Sequence, residues 1–104
     1  MSSNEVDFDN IGQKLAAETA KIRWHELQRF FAQGAVLVVD ESLDLVQVAT
    51  YFAEDQAEQL EPLLAGLKIK QPTNTQAKNW YSMDVHLWSV VVAPYVLVQE
   101  IKSD

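Results

Sequence analysis

The sequence predicts an α+β fold with a small mixed or antiparallel sheet, and three observations predict it. Residues 85–98 are almost wholly apolar, rich in β-branched and aromatic side chains, and interrupted by Pro94. A run of that kind reads as strand buried on both faces. Ahead of it, apolar residues recur at helical spacing through Ile11, Leu15, Ile22, Leu27, Phe30 and Phe31. Between these two stretches the pattern switches between helical and strand periods. The resulting order α, β, α, α, β, α, β, β fits helices packed against one sheet. At 104 residues the chain has the length of one such domain.

Residues 1–9 are polar and acidic and read as a flexible tail, with a single domain over 10–104. Asn10 with Gln13 forms a capping-box pattern that opens a long N-terminal helix. Ala16, Ala20 and Trp24 widen its apolar face, and Gly34 supplies the stop. Residues 35–39 form a short apolar strand. Ser42 is the expected N-cap of the next helix, with Asp44 in its first turn, where negative charge meets the positive helix end. Leu45, Val48, Ala49, Phe52 and Ala53 then make an apolar stripe that ends near Glu54.

Asp55 and Glu58 suggest a second capping box, and Gly66 marks the end of the helix it opens. Pro62 inside that helix removes one hydrogen bond and should kink it or break it in two. Residues 67–71 alternate apolar and polar and read as a strand with one wet face, stopped by Pro72. Thr73 with Gln76 caps a short helix that carries Ala77, Trp80 and Tyr81 on one side. Met83 and Asp84 turn the chain into a strand over 86–92. It bends at Ala93–Pro94, because proline cannot donate to a ladder, and continues as a strand over 95–101.

Composition excludes several activities. The formal net charge is −7, with only 8 lysines and arginines scattered along the chain, which argues against a nucleic-acid surface. Acidic groups at Asp40, Glu41 and Asp44, and at Glu54, Asp55, Glu58 and Glu61, read as solvated helix ends rather than a docking face for a basic partner. There is no cysteine, which excludes disulfides, zinc–thiolate sites and thiol nucleophiles; a reducing, cytoplasmic setting fits that usage. The N-terminus has neither the basic nor the apolar region of a signal peptide. The apolar run at 85–98 is too short for a membrane helix.

No catalytic constellation stands out. His25 and its helical neighbours Glu26 and Arg29 point in different directions. Asp84 and His86 could share one strand face, but two ligands are too few for a metal. No serine sits in a glycine-framed elbow, and the 3 glycines are isolated, so no phosphate loop is present. The sequence therefore assigns no catalytic residue, no metal ligand and no cofactor. Two alternatives remain. Residues 43–66 followed by strands have the order of a winged helix, but its reading helix would carry Glu58 and Glu61 and no cation, so the fold would be a degenerate regulatory one without strong nucleic-acid binding. A small-ligand or metal-dependent enzyme would need His25, Glu26, Asp84 and His86 to converge in one pocket.

Three stretches together resemble a known family. They are Trp24-His-Glu-Leu-Gln-Arg-Phe-Phe-Ala-Gln-Gly34, Leu43-Asp-Leu-Val-Gln-Val-Ala49 and Val91-Val-Ala-Pro-Tyr-Val-Leu-Val-Gln-Glu100. The chain resembles the bacterial family of small uncharacterised proteins catalogued as domain of unknown function 2288, over nearly all of its length beyond the tail. The resemblance implies a small bacterial protein and brings no catalytic residues. Trp24, Glu26, Leu27, Asp44 and the Ala93–Pro94 step lie in its motifs.

Aromatic residues are the remaining lead, since Trp and Tyr are favoured where one end of a ring is buried and the other wet. So apolar a final strand run, in so short a chain, has few elements to cover its faces and its edge. These points predict a non-enzymatic protein that acts through contact with another protein or as a homodimer. The interaction candidates are Trp24, Glu26, Arg29, Trp80, His86, Trp88 and Tyr95.

Overall fold

Val36, Leu37, Val38 and Val39 are buried at all four consecutive positions, which requires a strand covered on both faces. The structure, a computed structural model, describes residues 3–102, with side chains from residue 11 onward. Among the described residues the chain forms five α-helices and a five-stranded mixed sheet. The order is α1 (Ser3–Glu18), β1 (Ala20–Arg23), a 3-10 turn (Trp24–Leu27), α2 (Gln28–Ala32), β2 (Val36–Val39), α3 (Leu45–Ala53), α4 (Ala57–Ala65), β3 (Ile69–Lys70), α5 (Asn74–Ser82), β4 (His86–Val92) and β5 (Tyr95–Glu100). The strands lie in the order β1-β4-β5-β2-β3. β2 runs parallel to β5, and every other pair is antiparallel.

Strand alternation divides the core between the two faces of the sheet. Leu37, Val39, Val90, Val92 and Leu97 face one way, packed by Leu15 of α1, Leu45, Val48 and Ala49 of α3, and Leu60 of α4. Val36, Val38, Leu87, Val96 and Val98 face the other way, packed by Trp24, Leu27, Ala77 and Trp80. The Trp24 ring is the pivot of this second layer, edge-on to Phe31 at 5.3 Å and to Trp80 at 5.0 Å. Its complete burial makes removal to alanine worth about 3–5 kcal/mol.

The apolar C-terminal run is therefore the middle of the sheet. Each of β4 and β5 has a partner on both sides, so neither offers an edge for a second copy. The outer positions belong to β1, with Lys21 and Arg23, and to β3, with only two residues; short charged strands are the usual way to blunt a sheet edge. β4 and β5 join at Ala93–Pro94, which is cis, as a central hairpin rather than a wing beside α4. That removes the winged-helix reading.

Several boundaries differ from the sequence expectation. The long helix over 10–34 is four elements: α1, β1, the 3-10 turn and α2. Asn10 lies within α1 rather than capping it. Thr19 turns its hydroxyl back to the Leu15 carbonyl at 2.7 Å, and the chain then enters β1, which pairs Ala20, Lys21, Ile22 and Arg23 with Ser89, Trp88, Leu87 and His86. The expected tail over 1–9 falls outside the residues whose side chains are described.

The N-cap of α3 is Asp44, whose Oδ1 accepts from the Gln47 N–H at 3.1 Å. Ser42 instead donates to the Asp40 carboxylate through its N–H and its hydroxyl. Asp55 does not cap α4; it sits at φ +53 and closes α3. Pro62 lies inside an unbroken α4. Both Pro62 and Glu58 are exposed, so the hydrogen bond that proline removes falls on the wet side of the helix. The third strand is shorter than 67–71, because Leu67 at φ +59 still belongs to the end of α4. The Thr73 cap is as expected, accepting from Gln76 N–H at 3.0 Å.

Candidate functional site

The corner where α5 runs into β4 collects the polar side chains the core excludes. α5 ends with a bond from Val85 N–H back to the Trp80 carbonyl at 3.0 Å, and Asp84 takes the left-handed conformation at φ +52 that this closure needs. Aspartate tolerates that conformation better than most residues. On the neighbouring edge strand, Arg23 lies opposite His86, and Trp24 N–H extends the pairing to the Val85 carbonyl at 2.8 Å. This register brings Arg23 and His25 to Asp84.

Arg23 Nε donates to Asp84 Oδ1 at 2.9 Å. His25 Nδ1 lies 3.3 Å from the same oxygen, an electrostatic approach without hydrogen-bond geometry. The His25 ring stacks on Tyr81 with centroids 4.0 Å apart. The hydrogen bond from Arg23 holds the Asp84 carboxyl below its ordinary range; desolvation opposes this, and the charges of Arg23, His25 and His86 reinforce it. The same bond to Asp84 holds the Arg23 guanidinium above its usual value.

Beside this cluster an open groove of about 620 Å³ runs between α5 and the end of the sheet. Its lining includes Lys70, Gln76, Asn79, Trp80, Met83, His86 and Glu100. Trp80 Nε1 donates to Glu100 Oε2 at 3.2 Å, tying the groove wall to β5. Met83, in the groove wall, is 74% exposed, and Tyr81, stacked on His25 outside that lining, is 52% exposed. A smaller hollow of about 410 Å³ opens at the hairpin end between α1 and α3, with Phe52, Val91 and Val92 among its walls and Lys14, Glu18 and Asp55 around them.

The interaction candidates separate on this map. Trp24 and Trp80 are core, so neither can present its ring to a partner. Trp88 is half-buried beneath the Lys21 ammonium, 5.1 Å from its ring. Tyr95 leans on Phe52 at 5.7 Å beside the smaller hollow. Arg29 is exposed, and its guanidinium lies 5.4 Å from the Phe30 ring. Glu26 is exposed next to Arg23, and His86 is exposed in the groove.

The structure thus brings His25, Asp84 and His86 into one neighbourhood, but Asp84 is in the turn before β4 rather than on a shared strand face. Among the described residues, no group of three or more His, Asp or Glu side chains is disposed to hold a metal ion. No described helix is long and apolar enough to cross a membrane. The interaction candidates read from the sequence omit Arg23, Tyr81 and Met83. Arg23 gave no signal because its strand reads as helix, and its position opposite His86 exists only once the strand order is known.

A family model described as protein of unknown function (DUF2288) matches residues 10–100. The solution NMR structure of PA1075 from Pseudomonas aeruginosa is similar to this chain at 45% sequence identity and a TM-score of 0.78, over 90% of this chain and 87% of that one. No curated protein matches the chain.

Proposed function

This chain belongs to the family of proteins of unknown function DUF2288, and we propose that it acts without catalysis, by binding another protein at the α5–β4 corner. One observation carries the reading: two large apolar side chains stand out of the fold at the end of α5, Met83 in the wall of the larger groove and 74% exposed, and Tyr81, stacked on His25 outside that lining and 52% exposed. Aromatic residues, methionine and arginine are enriched at the buried centres of protein interfaces. Here Tyr81 and Arg23 flank the His25–Asp84 pair, and Met83, one residue before Asp84, stands in the wall of the groove. Asp84 holds Arg23 in place before any partner arrives, which lowers the entropy lost on binding. The proposal commits to a different protein rather than a second copy, because the edges of β4 and β5 are already paired.

The test is affinity capture from a bacterial lysate with three baits: the parent chain, a Tyr81→Ala/Met83→Ala variant, and a Val91→Ala/Tyr95→Ala variant at the hairpin. Both variants should fold, since Tyr81, Met83 and Val91 are each more than half exposed and Tyr95 lies outside the buried core. The reading expects a partner held by the parent and the hairpin variant and lost from the corner variant. A partner retained by the corner variant contradicts it.

A further inference from the structure

We propose that the hollow at the hairpin end binds a small amphiphilic amine, with the apolar body of the ligand against Phe52 and its ammonium group held by Asp55. This site is separate from the α5–β4 corner and does not rest on the protein-binding reading above.

The walls are those of a small-molecule site. The hollow measures about 410 Å³, within the range of roughly 300–1,000 Å³ that such sites occupy. Leu15 of α1, Phe52 of α3, and Val91, Val92 and Ala93 at the end of β4 line it. Val91 is 59% exposed, so apolar surface lies open to water there, and a ligand that covers it gains by removing it. Phe52 is half-buried, with Tyr95 leaning on it at 5.7 Å. An aromatic ring in the wall also attracts a cation through its quadrupole.

The rim sets the sign of the ligand. The charged groups of the lining are Lys14, Glu18 and Asp55, one cation against two carboxylates. Lys14 stands one helical turn before Glu18 on α1 and offsets it. Asp55 is left over, and its carboxylate forms no ion pair among the described residues. Its surroundings in the chain add no compensation: residues 40–67, which contain α3 and α4, have no lysine, arginine or histidine. On a chain of net charge −7, this end attracts a cation and repels an anion. Asp55 is also fixed in advance. It takes φ +53, and its N–H donates to the Phe52 carbonyl at 3.2 Å. One turn therefore sets both the carboxylate and the residue whose ring would share the ligand, which lowers the entropy lost on binding.

The experiment is NMR on the isotopically labelled full chain, with phenethylamine, phenethyl alcohol and hydrocinnamate as probes at millimolar concentration. They share a ring and a short arm and differ in charge. Phenethylamine should shift the amides of Phe52, Asp55 and Ala93 and the methyl groups of Val91, and the other two should leave them in place. Affinity for the amine should fall about fivefold in D55N, as for the loss of one exposed ion pair, and should weaken as salt rises. Asparagine tolerates the left-handed backbone at this position, so D55N tests the charge rather than the turn. K14Q, which removes the opposing cation, should raise the affinity. Equal shifts from the amine and hydrocinnamate, shifts confined to another surface, no shift with the amine, or an affinity unchanged in both D55N and K14Q overturn the inference. A blocked peptide of alternating lysine and leucine that binds the hollow more tightly than phenethylamine overturns it in favour of a basic protein segment.

Discussion

One carboxylate at Asp84 closes a helix, fixes an arginine and faces a histidine. Because its pKa is depressed in the fold by the Arg23 hydrogen bond, its contribution to stability has a definite pH sign. Above the unfolded value of about 3.9 the charged, bonded form favours the native state in full. That contribution is lost as pH falls through the lower native value, where both states are protonated. The stability gap between the parent and Asp84→Asn should therefore be present at pH 5 and close as the solution is made more acid, as read by urea unfolding across pH. The group is half exposed, so the gap is small. A gap that widened in acid would mean Arg23 does not hold the carboxylate. At this scale the sequence was partly legible. Asp84 and His86 could be paired from their spacing, but His25 could not be placed beside them, because their assembly depends on a strand register that no local pattern encodes.

Four of the five described helices share one way of ending. α2, α3, α4 and α5 each finish with an N–H bonded to the carbonyl five residues back: Ala35 to Phe30, Gln56 to Tyr51, Lys68 to Leu63, and Val85 to Trp80. The residue before each donor is left-handed: Gly34, Asp55, Leu67 and Asp84. Glycine fits this position and leucine does not, since a left-handed side chain costs roughly 1–2 kcal/mol. Leu67 is also 66% exposed, so little packing offsets that cost. Leu67→Gly should raise unfolding stability by about 1 kcal/mol, less the extra freedom glycine gains in the unfolded chain; thermal or urea unfolding checks it, and a loss would mean the side chain packs more than its exposure indicates. The same geometry explains what the sequence hid. Gly34 marks its helix end correctly, while Gly66 stands one residue ahead of the left-handed position. The stretch from Thr19 to Leu27 carries helix-compatible spacing and no glycine or proline, so β1 and the turn after it were invisible until β4 supplied a partner.

Across the whole molecule, the apolar C-terminal run was read correctly as strand buried on both faces, and its two segments and the Pro94 turn were legible because their length and β-branched content leave little else to form. Its place at the centre was not. Strand order is a long-range property, and β1, which covers the outer side of β4, was the element the local pattern concealed. Closing both edges moves the available surface away from the sheet. It lies on the α5–β4 corner, where Met83 lines the larger groove and Tyr81 and Arg23 are exposed around His25 and Asp84, and to a lesser degree at the hairpin around Val91 and Tyr95. The corner as a binding surface is the central claim. Amide hydrogen exchange on the chain alone and with its captured partner tests it most directly: the account predicts slowed exchange over residues 79–87 and in β1, and protection confined to residues 90–96 or to α4 would contradict it.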